Sequence, residues 1–186
     1  MTATGTSANA PAETASTAEQ AALLRRVRGW LIVFIVGLVL SGVTAFPLVT
    51  EVRWGHELLL AWGIESWLPS LVDWFARVRE GLETTAATYP FIAYGTDWLA
   101  FAHLVIAVAF WGPLRDPVRN LWVIDFGLIA CAGIIPLALI AGPIRDIPWG
   151  WSLIDMSFGV LGAIPLLIVR RMIKRLERLQ AEARPA

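Results

Sequence analysis

The sequence predicts an all-α integral membrane protein, a four-transmembrane-helix bundle with an amphipathic interfacial helix on its outer face. Three observations predict this class. Hydrophobic residues make up 57% of the 186 residues and charged residues only 16%, a balance too apolar for an ordinary water-soluble domain. Four long apolar runs follow one another along the chain. Six of the 10 tryptophans stand at the ends of those runs. Trp30 opens the first, Trp98 and Trp111 bracket the second, Trp122 opens the third, and Trp149 with Trp151 open the fourth. Indole rings concentrate at a membrane boundary, where the ring body stays in the apolar phase and the N–H reaches the headgroups, so these residues act as depth markers.

Taken in order, residues 1–24 are rich in Ala, Thr and Ser without a hydrophobic period and are expected to form a disordered cytoplasmic tail. The membrane domain covers 25–170. No charge occurs between Arg28 and Glu51, and span one, 30–49, is long enough to cross about 30 Å of hydrocarbon as a helix. Val43-Thr44-Ala45 has the small residues a signal peptidase needs, but the apolar run continues past it, so span one is expected to be retained. Span two, 95–113, starts where Thr96 or Asp97 is expected to cap a helix. Span three, 121–141, stops at Gly142-Pro143. Span four, 148–169, begins at a proline and runs into a basic cytoplasmic tail, 171–186. Pro136 and Pro165 lie inside spans three and four, where each frees a carbonyl and bends the axis.

Between spans one and two, residues 54–82 are also rich in Trp and Leu, but they carry His56, Glu57, Glu65 and Asp73. A carboxylate near a bilayer centre costs about 2.5 to 3.5 kcal/mol, which argues against a fifth crossing. From Trp67 the apolar positions Leu68, Leu71, Trp74, Phe75, Val78 and Leu82 share one helical face, opposite Ser70, Asp73, Arg77 and Glu80. Such a segment belongs in the outer interface plane, with Pro69 in its first turn and Gly81 followed by residues 83–88 marking its end. Trp67, Leu71, Trp74 and Phe75 on this face meet either lipid or a partner protein.

Function is less legible. The sequence has no phosphate-binding glycine loop, dinucleotide fingerprint, zinc-protease H-E-x-x-H, covalent haem motif or nucleophile elbow, so no catalytic residue and no metal site is expected. Nothing supports a nucleic-acid partner. The single Cys131 sits inside an apolar run, which excludes a disulfide framework and reads as a small packed side chain. The ionisable residues expected to sit below the membrane surface are His103, Asp125 and Asp155, and each is costly there. His103 lies five residues inside Trp98 and Asp155 four inside Trp151, roughly 6 to 8 Å below the outer boundary at helical rise. Both share faces with small residues, Ala100 and Ala107 for one and Gly159 and Gly162 for the other, so the two are expected to form an intramembrane polar pair. Asp125, three residues inside Trp122, is expected to form an ion pair at the inner boundary with Arg119, with Arg115, Arg170 and Arg171 also within snorkelling reach.

The expected role is a non-catalytic accessory or scaffolding subunit of a larger membrane assembly, respiratory or photosynthetic in kind, whose partners are lipid and other membrane subunits and for which no cofactor is favoured. Two alternatives stay open. One is a small electron carrier binding haem b or a quinone through His103, with His56 the only other histidine available as an axial ligand. The other is a component of a proton or small-solute transporter, although no carboxylate or imidazole is placed at the bilayer centre, between Asp125 near the inner face and Asp155 near the outer one, to continue a relay.

Basic residues set the orientation. With the N-terminus inside, 11 of them lie on the cytoplasmic side and 4, Arg53, Arg77, Arg79 and Arg145, lie outside. This matches the positive-inside rule and places both termini in the cytoplasm of a bacterial cytoplasmic (inner) membrane. A reporter active only in the cytoplasm is therefore expected to work when fused after Ala186 or within residues 115–119, and to be silent within 83–88. Activity at the last site would overturn the four-crossing topology.

Overall fold

The computed structural model describes residues 10–183. Among them the chain is helical over 89%, with no strand. Seven α-helices follow in order: α1 (Ala10–Ala45), α2 (Leu48–Ala61), α3 (Pro69–Thr88), α4 (Ala93–Ala109), α5 (Trp111–Arg115), α6 (Leu121–Ile144) and α7 (Trp149–Glu182). Short 3-10 turns at Ile64–Ser66 and Pro90–Ile92 precede α3 and α4. Four stretches are long and apolar enough to cross a membrane: Thr17–Ala45, Pro90–Arg115, Leu121–Ile144 and Trp149–Glu182.

Helix boundaries depart from the sequence reading at identifiable residues. Residues 10–24 are the first turns of α1 and not a disordered tail; residues 1–9 of that segment lie outside the described residues. Alanine is the strongest helix former, and tertiary contacts hold this end. Gln20 Nε2 donates to the Leu179 carbonyl at 3.4 Å, Glu19 pairs with Arg175, and Leu23 is buried. Span one ends at Ala45, four residues early, because Pro47 follows and starts a new helix. Thr96 and Asp97 lie inside α4 and do not cap it, since the turn at Pro90 feeds the helix three residues sooner. This helix breaks at Phe110 before α5 resumes. Helix α6 runs three residues past Ala141, through Pro143, and α7 continues through the basic tail to Glu182. Both Pro136 and Pro165 are accommodated within helices.

The chain divides into two compact units, one formed by residues up to 36 and from 109 onward, the other by residues 37–108. In the first, α6 and α7 are joined by a tight turn in which Asp146 adopts a left-handed φ of 54°. They pack antiparallel, as their facing residues show: Gly142 with Ser152, Cys131 with Gly159 and Gly162, Gly127 with Leu166, and Asp125 with Arg170. Each step back along α6 meets a step forward along α7. Phe110 is fully buried here, its ring 4.7 Å from that of Phe34 and against Gly127. Arg28 Nε donates to the Leu114 carbonyl at 3.2 Å, supplying a cation and a donor at the end of α5.

Small residues line much of the helix contact, and many large ones face outward. On α6, Gly127, Cys131 and Gly142 are buried along with Val123 and Ile124 of its first turn, while Ile129, Leu137, Ile140 and Ile144 are exposed. In the second unit α4 buries Ala100 and Ala107 and exposes Leu99, Val105 and Val108. There a Cβ on Gly42 of α1 would come 2.9 Å from the Ala100 carbonyl oxygen and 3.1 Å from the His103 Cβ. The tripping point of the first unit is Gly159, where an added Cβ would lie 2.6 Å from the Cys131 carbonyl oxygen. Backbone cannot yield there, so Gly159→Ala is expected to lower stability by about 1 to 3 kcal/mol. Gly133→Ala, facing open space on α6, is expected to be neutral or slightly stabilising. Thermal unfolding in one detergent compares the two, and equal melting would show that the close approach carries no energy.

Candidate functional site

The segment read as one interfacial helix is a helical hairpin. Helix α2 ends at Ala61, Gly63 takes the left-handed φ of 66° that the reversal requires, and the turn closes with Ser66 Oγ donating to the Gly63 carbonyl at 2.7 Å. Pro69 then opens α3 from the first-turn position where its missing N–H costs nothing. Contrary to the sequence reading, Gly81 and residues 83–88 do not end this helix, which runs to Thr88 and stops before Tyr89-Pro90. A tertiary link explains the extension. Glu83 accepts from Arg53 Nε of α2 at 3.0 Å and from Arg79 Nε one turn earlier at 3.2 Å. That bond holds the last turns of α3 against α2, overriding the weak helix propensity of glycine and threonine.

Inside the hairpin α2 offers Gly55, against which the Phe75 ring packs so closely that a Cβ would meet it at 2.9 Å. Val72 is 4% exposed, and Leu71, Trp74 and Phe75 are half-buried. Of the four residues expected to form an outward face, only Trp67 is exposed, at 68%. The outward apolar ridge is instead on α2, where Trp54 (67% exposed), Leu58 and Trp62 (68%) recur every four residues. Sequence reasoning missed it because Glu51, Arg53, His56 and Glu57 interrupt the run, although the fourfold spacing was there to read.

His56 lies beside the ion-paired cluster. Its Nδ1 is 3.5 Å from Arg79 Nη1, and because a guanidinium only donates, that ring nitrogen accepts and a neutral His56 carries its proton on Nε2. His103 has the opposite arrangement: Nδ1 donates to the Leu99 carbonyl at 2.8 Å, which leaves the lone pair on Nε2 of the neutral ring. His103 belongs to the unit of residues 37–108 and Asp155 to the other, so each is described in its own surroundings. The stripe around His103 packs on Gly42, and Asp155 lies one turn before Gly159, where α7 meets Cys131. Of the small residues beside them, Ala100 meets Gly42 of α1, and Gly159 and Gly162 meet Cys131 of α6.

Asp125 is bonded by Arg170, whose Nε donates to Oδ1 at 2.6 Å. Arg119, its expected partner, instead gives its backbone N–H to Asp116. Antiparallel register explains the choice, since it lays Arg170 of α7 directly across from Asp125. Among the described residues no three His, Cys, Asp or Glu are grouped so as to hold a metal ion. Comparison with protein-family models, curated proteins and solved structures gives no match.

The Arg53 bond holds the Glu83 carboxyl below its ordinary value of 4.5, with Arg79 acting in the same direction and burial opposing both. A depressed value means that the link is complete at neutral pH and is lost as the pH falls below 4.5. Hydrogen exchange across residues 48–61 and 79–88, corrected for intrinsic rates, is expected to be faster in Glu83→Gln than in the parent protein at pH 7, and the difference is expected to shrink as the pH is lowered below 4.5. Identical protection in both proteins at pH 7 would show that the link orders nothing.

Proposed function

We propose that this chain is an integral membrane protein whose four long apolar helices cross the bilayer with both termini in the cytoplasm of a bacterial cell. Its role in this reading is that of a non-catalytic accessory or scaffolding subunit in a larger membrane assembly. The surface of α6 supports the first part: Ile129, Ile140 and Ile144 are exposed while Gly127 and Gly142 pack inward, as suits a hydrocarbon solvent. One observation carries the second. The α2–α3 hairpin is pinned by Gly63, by the Phe75–Gly55 contact and by the Arg53–Glu83–Arg79 link, yet it turns Trp54, Leu58, Trp62 and Trp67 outward. Rigid aromatic anchors on a pre-organised element suit a protein interface, because little conformational freedom is lost on docking. The partner is another membrane subunit, met at the outer surface.

The electron-carrier reading keeps one favourable observation, the Nε2 lone pair of His103, which suits iron ligation better than donation to a quinone carbonyl. His56 would need the opposite tautomer to serve as the second axial ligand. A single preparation separates the readings. Solubilised gently from its native membrane, the parent protein is expected to migrate in an assembly larger than itself and to show no Soret band. The Trp54→Ser, Leu58→Ser, Trp62→Ser triple variant is expected to insert and fold but to migrate alone. Unchanged migration of the triple variant would sink the interface, and a Soret band lost in His103→Ala would establish the carrier.

A further inference from the structure

Helix α4 begins with aromatic residues on one face. Tyr94, Trp98 and Phe101 recur at the four- and three-residue spacings that align side chains, and Phe46 reaches them from the turn after α1. Together with Asp97 they line an open pocket of about 240 Å³. The rings meet edge to face, Tyr94 and Trp98 with centroids 5.9 Å apart at 82°, Trp98 and Phe101 6.2 Å apart at 87°. In each pair the edge of one ring rests on a face of its neighbour, yet all three rings stay exposed, and the faces left open carry the negative side of the aromatic quadrupole. Asp97 is half-buried among them and makes no hydrogen bond or ion pair among the described residues. A carboxylate beside apolar rings is costly unless a cation accompanies it.

We propose that this pocket holds the ammonium headgroup of a membrane lipid, quaternary or primary. The inference rests on the membrane reading above, in which Trp98 marks the boundary where such headgroups lie. Ring faces attract an ammonium ion through the quadrupole, most strongly at tryptophan, and Asp97 supplies the opposing charge. An anionic headgroup without an amine gains neither interaction and is repelled by the carboxylate.

The test uses the full chain purified in a neutral detergent, with tetramethylammonium as the free probe. Native mass spectrometry measures retention of phosphatidylcholine against phosphatidylglycerol of the same acyl composition. The parent protein is expected to bind the probe saturably and to retain phosphatidylcholine in preference. Trp98→Ala is expected to weaken both by about tenfold. Asp97→Asn should weaken both less, and Trp98→Phe should keep most of the binding. Equal retention of the two lipids, parent-like binding by a folded Trp98→Ala, or no saturable binding of the probe would each overturn the proposal. Binding of the probe without lipid preference would overturn the lipid source. Alkaline extraction of native membranes separates the underlying reading: a chain released there fails as a membrane protein, whereas a retained chain lacking lipid preference fails only here.

Discussion

Contact of one helix backbone with another, at Gly159 and the Cys131 carbonyl, is the constraint on which the first unit depends. In the membrane reading proposed above, two apolar helices surrounded by hydrocarbon gain little by hiding apolar surface from one another. They associate where backbones approach closely and dispersion contacts multiply. Once α7 rests on Cys131, the antiparallel register is set for the whole pair. Ser152 is brought to Gly142, Leu166 and Phe110 close over Gly127, and Arg170 reaches Asp125. The polar pair at one end is thus a product of apolar packing in the middle. In the second unit Gly42 plays the same part, letting α1 touch the backbone of α4 beside His103.

The hairpin between α1 and α4 is stabilised differently. A single buried valine is not enough to hold two helices together. A glycine that admits an aromatic ring and a carboxylate shared by two guanidiniums complete the contact. Such ion pairs are individually weak at exposed sites, but this one joins the middle of α2 to the later turns of α3 and so adds a second point of contact between the two helices.

Features that depend on composition were legible, and those that depend on pairing were not. Charge-free runs and terminal tryptophans located the four long apolar helices, because solvent preference is a property of each residue. Their ends were set by neighbours. Residues 83–88 look like a helix stop until Arg53, thirty positions away, bonds Glu83. Residues 10–24 look like a free tail until Glu19 and Gln20 meet the far end of α7. Asp125 was read as a paired carboxylate, and it is paired. Its partner is Arg170, one of the arginines within reach from the sequence, and the register of the helix pair selects it over the expected Arg119. The amphipathic face of α3 was seen, but part of it turns inward onto α2, a direction that one helical wheel cannot specify.

Cys131 is the chain's lone cysteine, and α7 covers it: Gly159 lies on its carbonyl and Gly162 beside its sulfur. A thiol enclosed by two helices is shielded from water-borne reagents, and reaction with them requires a solvated thiolate. The natural chain is in effect already a cysteine-free background for chemistry at the surface. A thiol engineered on the α2 ridge or at the mouth of the aromatic pocket would react with aqueous spin labels and fluorophores well before the native one. Distance measurements could then begin without removing a residue that the α6–α7 contact was built around.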